Sequence, residues 1–358
     1  MGTSRLTRTL LAGVVCLGLS AGDRAQPLRA QISERPSQQV FIPRPGTAVP
    51  RGMEVLRVLG NIYVVAGAGG NVVVQDGDQG IFLIDTGSTA KSTDLLAAIK
   101  TISDGIIRYI VNTTPEPEHY GGNDALAQAG WSPTVALPEL TGNGAPIAPR
   151  GGDPRAVLAM VIAHEGMLNR LSAATGNASA APFVLWPTNT FFTAKKSMSF
   201  NHEGIELRHE PAAHTDGDLA VFFRKTDVVA AGDLIDTGGY PKVDAGRGGS
   251  FKGLIAGLND IVDISIAEFN QQGGTRIVPG HGRVMNETDV ADYRDMVTIV
   301  RDRVKLAVDK KMPLTELKSL QPTLDYDGLY SRPDWTGDMF VDAIYKELSQ
   351  NQPTARRP

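Results

Sequence analysis

The sequence predicts an α/β (α+β) fold in four layers, αββα, with two sheets face to face and helices on their outer sides. Two observations predict it. Runs of short, β-branched strands followed by amphipathic helices occur twice along the chain, the pattern of two βα halves packed sheet against sheet. The 358 residues, 42% hydrophobic and 21% charged, are also enough to bury a large core, and the composition carries no sign of disorder. A formal net charge of -4, a pI near 5.9 and no basic stripe give no reason to expect a nucleic-acid partner.

Residues 1–30 read as a secretory signal peptide, with a buried N-terminal helix as the alternative and a lipoprotein anchor at Cys16 disfavoured by the bulky Val15 before it. Arg5 and Arg8 precede an apolar run over residues 10–19, and the small residues Ser20, Ala21 and Gly22 follow. The run is too short to span a bilayer, so the mature chain is expected to be exported, periplasmic or secreted, without an integral membrane span. Cys16, the single cysteine, falls inside this segment, which leaves the mature protein neither a disulfide framework nor a thiolate metal ligand. Residues 31–51, with Pro36, Pro43, Pro45 and Pro50, read as an extended linker. A single domain is expected over 52–310, and residues 311–358 form a C-terminal helical extension packed on it.

Within that domain, residues 55–66, 71–75 and 81–84 are rich in β-branched residues. They are separated by Gly-Ala-Gly-Gly and Asp-Gly-Asp-Gln-Gly, as successive antiparallel strands are. The last ends in Asp85-Thr86-Gly87, and Ser88 is placed to cap an amphipathic helix running to about residue 102. An apolar run over 106–111 leads into a polar loop. A short helix from Asn123, a strand at 134–137, a Gly/Pro-rich connection over 141–153, a helix over 154–172 and a polar loop over 173–182 come next. The second half has strands at 198–200, 205–209, 219–224 and 228–231, a helix over 251–264, a strand at 276–278 and a helix over 287–310. Residues 313–333 look irregular, and a helix over 335–348 closes the chain.

The loop after the 106–111 strand reads Val-Asn-Thr-Thr-Pro-Glu-Pro-Glu-His-Tyr-Gly-Gly-Asn over 111–123. It crowds Glu116, Glu118 and His119 into four positions, and Gly121-Gly122 lets the backbone turn towards the next helix. It resembles the signature loop of the metallo-β-lactamase superfamily, Asn-Thr-His-x-His-x-Asp-His-x-Gly-Gly-Asn. Thr114 and Glu116 stand for the first two histidines, Glu118 for the aspartate, and His119 is unchanged. His214-Thr215-Asp216-Gly217-Asp218 resembles the family's third motif, Ala231-Gly232-Asp233 the place of its metal-bridging aspartate, and Val278-Pro279-Gly280-His281-Gly282 its last motif. The resemblance covers roughly residues 55–302 and implies the four-layer αββα metallo-β-lactamase sandwich.

It also implies two metal positions, the first at Thr114, Glu116, His214 and Asp233, the second at Glu118, His119, Asp233 and His281. A catalytic zinc-type centre takes three protein ligands and an open position. A threonine hydroxyl is a poor ligand, so one divalent ion per chain rather than two is expected, at the second position. Zinc comes first by the Irving–Williams order, with iron or manganese favoured by the carboxylate-rich set. Pro115 and Pro117 are expected to stiffen the loop, and a stiff loop can present Glu116 and Glu118 on the same side; these two with Asp233 are the candidates for proton transfer.

The remaining candidates have weaker signals. The family's aspartate at the place of Asp85 supports the metal loop, although spacing alone reads equally well as a turn residue. His164, in Ile162-Ala163-His164-Glu165, is either a pocket-supporting residue or an ordinary helix or core histidine. Tyr240 and Lys242 either line the pocket and hold an anionic substrate or belong to an exposed turn. Residues 246–250, Gly-Arg-Gly-Gly-Ser, either cradle an anion or simply begin a helix capped by Ser250. The expected activity is that of an exported metallo-hydrolase attacking an ester, lactone, amide or related bond of a small molecule. Two alternatives stand beside it: a silent family member that binds a ligand or partner in the old cleft, and a metal-independent carboxylate enzyme.

Overall fold

The computed structural model describes residues 41–131, 158–175, 178–265 and 274–350, and elements are numbered along these. The signal-peptide residues 1–30, the start of the linker, the strand expected at 134–137 and the 141–153 connection lie outside them.

The first sheet holds β1 (Glu54–Leu59), β2 (Ile62–Ala66), β3 (Val72–Gln75), β4 (Ile81–Ile84), β5 (Ile107–Val111), β6 (Met160–His164) and β9 (Asn189–Phe191), paired in that order. Its first three pairings are antiparallel and the last three parallel. The second holds β10 (Lys195–Phe200), β11 (Glu203–His209), β12 (Leu219–Phe223), β13 (Val228–Asp236) and β14 (Arg276–His281), also in chain order. Only its last pair, β13 with β14, is parallel. β7 (Ala174–Thr175) and β8 (Ala178–Ser179) make a separate small hairpin.

Alternation along the strands builds the four layers, because successive side chains point to opposite faces. In β4, Phe82 and Ile84 enter the core between the sheets, whereas Ile81 and Leu83 face outward. The outward residues pack with Leu95 and Ile99 of α1 (Ser92–Ile102) and Leu126 of α3 (Asn123–Gln128). In β13, Val228 and Ala230 face inward. Val229 and Ala231 face out to Leu254 and Leu258 of α5 (Phe251–Ile264) and Val297 and Val300 of α6 (Glu287–Asp309). Phe340, Val341 and Ile344 of α9 (Gly337–Gln350) join the same outer core, so the C-terminal helix packs on the second sheet's helices.

Several expectations give way. The helix over 154–172 is a strand, β6, followed by α4 (Glu165–Ser172). The run Met160-Val161-Ile162-Ala163 is short enough to serve either element, and parallel pairing between β5 and β9 decides for a strand. Residues 55–66 are two strands, because the chain reverses at Gly60-Asn61, with Gly60 at φ 54°. Ser88 does not cap a helix. Its hydroxyl donates to the Ala68 carbonyl at 3.0 Å, and α1 begins only after a short 3₁₀ turn (Thr89–Lys91). Residues 313–333 carry two short helices, α7 (Leu314–Ser319) and α8 (Leu324–Tyr330). The 41–51 part of the linker is docked: Phe41 meets Tyr63 edge-on at 5.9 Å, and the Arg44 N–H donates to the Thr101 carbonyl at 2.9 Å.

Phe82 sits at the centre of the inter-sheet core, fully buried, with Phe200 and Phe223 of the second sheet 6.0 and 6.1 Å away. Phe82→Ala is expected to cost about 3–5 kcal/mol, seen as a lower urea midpoint at unchanged slope, and Phe82→Leu distinctly less. Equal midpoints for Phe82→Ala and wild type would refute this picture of the core.

Candidate metal centre

The carboxyl ends of the parallel strands β4, β5, β13 and β14 meet at one edge of the sandwich, the usual place for a ligand crevice in sheets of this kind. β4 delivers Asp85. Its backbone is left-handed at φ 64°, which turns the carboxylate back under the loop that follows β5. Asp85 Oδ1 accepts from the Thr113 amide at 2.8 Å, and Oδ2 accepts from the Thr113 hydroxyl at 2.7 Å and lies 2.8 Å from His119 Nδ1. A carboxylate offers only acceptors, so His119 Nδ1 carries the hydrogen. Asn112 and Asn123 close the loop with reciprocal amide hydrogen bonds of 3.0 and 2.8 Å. Between them, α2 (Pro117–Tyr120) carries His119 inward on a helix started by Pro117.

Asp233 reaches the same point through a bulge in β13. The register against β14 shifts at Gly232, which adopts φ 52° and whose added Cβ would lie 2.6 Å from the Thr113 hydroxyl. Only glycine satisfies both conditions, and the bulge re-aims the next side chain. His281 ends β14. Asn71 ties it to the first sheet: its N–H donates to the Gly280 carbonyl at 2.7 Å, and its amide to the carbonyls of Pro279 and Gly282 at 2.9 and 3.0 Å. Neighbouring Gly70 lies so close to the His119 ring that a Cβ would approach it to 2.5 Å.

The result is a three-residue cluster. Asp233 Oδ1 lies 2.9 Å from His119 Nε2 and 3.4 Å from His281 Nε2, and the two Nε2 atoms are 3.4 Å apart. Glu118 Oε2 stands 3.5 Å from His281 Nε2 on the open side, with its side chain 60% exposed. Among the described residues, His119, Asp233 and His281 are the one group of three or more donors that could hold a metal ion. The donor set fits one. His119 presents the Nε2 lone pair, and Asp233 Oδ1 is buried without a hydrogen bond, so acceptors face each other across a space that suits a cation. Burial opposes charging His119, yet Asp233 and Asp85 together hold its pKa well above the ordinary 6.5. Burial works against ionising Asp233 as well, and the neighbouring His119, His214 and His281 outweigh it and hold that carboxyl far below the usual range.

The other expected site residues go elsewhere. Glu116 and His214 pair with each other, Nε2 to Oε1 at 3.0 Å, while His214 Nδ1 donates to the Lys242 carbonyl at 2.9 Å. Burial disfavours the His214 charge, but the Glu116 contact and the charges of Asp233 and Asp218 push it up to about 9. Glu116 also binds the Arg247 guanidinium, so the carboxylate expected to move protons is already neutralised. Thr114 is fully buried. Lys242 lines the cleft, with Nζ 5.9 Å from the centre of the Trp335 ring. Tyr240 is not a pocket residue: it is completely buried, stacks on Phe340 at 4.6 Å and donates its hydroxyl to Asp327 at 2.9 Å, pinning α8 and α9 to the core. His164 also stands apart from the cluster. It caps α4 through Nδ1, which accepts from the Gly166 amide at 3.2 Å, and stacks on His209 at 3.5 Å.

Sequence reasoning missed Asn71 and Gly70; it placed Arg247 in a stretch that would cradle an anion or begin a helix, and Ser250 does cap α5, its hydroxyl accepting from the Gly253 amide at 2.9 Å, while Arg247 turns to Glu116. Arg247 and Glu116 are 131 residues apart, and Asn71 reaches across 208 residues to Pro279, so no local spacing announces either contact. The cluster opens into a cleft of about 1060 Å³ whose far wall is made by Arg332, Trp335, Lys346 and Glu347.

His164 supplies a pH test independent of the cluster. Burial first, and the charge of His209 second, push its pKa down to about 4. The unfolded chain, at about 6.5, therefore takes up the proton before the folded one. The stability from neutral His164 is complete above pH 6.5 and disappears as pH falls towards 4. Melting temperatures over this range should fall more steeply for wild type than for His164→Gln, and parallel curves would rule the assignment out.

No curated protein matches the chain. Among solved structures, the stereoselective inverting sec-alkylsulfatase Pisa1 from Pseudomonas sp. is similar at TM-score 0.56 and 15% identity, over 82% of this chain and 50% of that one. The chain thus spans about half the length of that enzyme. A metallo-β-lactamase from Pontibacter korlensis aligns over 69% of this chain and 99% of its own, at 14% identity and TM-score 0.49. At 15% identity the likeness to the alkylsulfatase is one of fold. The model of the metallo-β-lactamase superfamily matches residues 60–281, more than half of the sequence, and its span takes in Asp85, His119, Asp233 and His281. The chain belongs to the metallo-β-lactamase superfamily.

Proposed function

We propose that this protein is an exported metal-dependent hydrolase that uses one divalent ion, held by His119, Asp233 and His281, to cleave an ester, lactone, amide or related bond in a small molecule. The observation that carries the reading is the convergence of His119 Nε2, His281 Nε2 and Asp233 Oδ1 within 4.8 Å of one another, with Asp233 Oδ1 buried between the two rings. Two imidazoles and a carboxylate suit zinc, and iron or manganese after it. When bound, such an ion acts as a Lewis acid and lowers the pKa of a water from about 15.7 towards about 7.

The chain's own residues supply the rest. Asp85 holds His119 in the tautomer that leaves Nε2 free, which also raises the ring's basicity. Glu118 Oε2, solvent-accessible beside His281, is the group placed to take a proton from the water and pass it to the leaving group. Glu116 is not, since Arg247 and His214 occupy its carboxylate, and this argues against a metal-independent carboxylate enzyme. The cleft, at about 1060 Å³, is of the size that encloses a small-molecule substrate. Export rests on the charged and apolar pattern of residues 5–22.

Elemental analysis of protein purified without chelator is expected to find about one metal ion per chain in wild type and in Glu118→Gln, and almost none in His281→Ala. Glu118→Gln should then lose on the order of 10²–10⁴ in rate on any ester, lactone or β-lactam that wild type hydrolyses. A wild type that stays metal-free after zinc, iron and manganese have each been supplied would remove the metallo-hydrolase reading. Asp85→Asn keeps the shape but weakens the hold on His119, and should reduce metal affinity roughly 10–100-fold in a competition titration. An unchanged affinity would remove Asp85 from the positioning role.

A further inference from the structure

We propose that Arg247 is a built-in cation that occupies the Glu116 carboxylate facing His214 and closes the Glu116–His214 position to a metal ion. The proposal deepens the metallo-hydrolase reading and rests on it for the neighbouring place at His119, Asp233 and His281. Its own footing is separate.

Glu116 Oε1 and His214 Nε2 are 3.0 Å apart, with the fully buried side chain of Thr114 two residues before Glu116 in the same loop. A carboxylate and an imidazole so placed are ordinary beginnings of a divalent-cation site. Here the guanidinium has reached them first. Arg247 Nη2 binds the same Glu116 oxygen that faces His214, and Nη1 donates to the Pro115 carbonyl at 2.9 Å, so its planar fork grips both the side chain and the backbone of the loop. The fork is itself fixed from behind. Arg247 Nε donates to Asp244 Oδ2 at 2.8 Å, and Asp244 Oδ1 accepts the Arg247 amide at 3.0 Å.

Three features make this more than a surface ion pair. A guanidinium stays charged at every accessible pH, so its charge cannot be shed to admit an ion. Both nitrogens of His214 are engaged, one by Glu116 and the other by the Lys242 carbonyl. The Glu116 charge is already matched by the guanidinium, so an entering divalent ion would meet a fixed like charge rather than a free carboxylate. A second divalent ion does not fit beside the first: a fixed positive charge already shares the carboxylate it would need.

The test is metal stoichiometry rather than activity. The full chain is saturated with zinc, freed of excess, and its zinc counted by mass spectrometry, for wild type, Arg247→Ser, Arg247→Gln and Arg247→Lys. Wild type and Arg247→Lys are expected to hold one zinc. Arg247→Ser and Arg247→Gln should hold two; Arg247→Gln keeps an amide for the Pro115 carbonyl should the serine variant fold poorly. Two zinc ions in wild type, or one in folded Arg247→Gln, overturns the proposal and leaves the hydrolase reading standing. No zinc in wild type but one in the uncharged variants upholds Arg247 as the closure while removing the metal place at His119. No zinc in any of them overturns both.

Discussion

Asp85 is the residue on which the candidate centre depends. One buried carboxylate just past β4 accepts from the backbone N–H and hydroxyl of Thr113, just past β5, and orients the ring of His119. A buried carboxylate without partners would be costly, and here the hydrogen bonds and the imidazole satisfy it. Its left-handed backbone, unusual for a non-glycine residue, shows that the surrounding contacts over-determine the turn. Removing any one of Asp85, Thr113 or His119 strands the others inside the protein.

The centre also requires the two sheets to meet at a defined height. The aromatic core around Phe82 sets the spacing, while Asn71 and the Gly232 bulge set the edge at which the strands end. His119 belongs to the first sheet's loop, Asp233 and His281 to the second sheet, so the cluster exists only when the sandwich has closed. Rigid strands rather than long loops carry two of its three members, which suits a site that must hold donors in place before any ligand arrives.

Charge is divided along the cleft. On one side a carboxylate between two imidazoles offers a place for an exchangeable cation, a proton or a metal. On the other, Glu116 is matched by a permanent guanidinium, and the Glu116–Arg247–Asp244 chain alternates sign without any ion. With Glu116 where the family's motif has a histidine, the loop carries a negative charge that needs a partner of opposite sign, and Arg247, in the loop leading into α5, supplies it.

The αββα order, the β-meander, and the motifs around His119, His214, Asp233 and His281 were legible in the sequence, because strand alternation and short glycine-bounded loops are local properties that leave local patterns. Strand 160–164 was not, since a short buried apolar run looks the same in a helix, and its parallel neighbours alone decide. Nor was the fate of Tyr240, whose turn-like context gives no hint that α8 and α9 fold back over it. By itself the sequence determined which donors are available and the strand ends from which they project. The tertiary structure alone decided how they divide, since Arg247 meets Glu116 and Asn71 meets Pro279 only when distant segments are packed together, and such contacts follow from packing rather than from spacing.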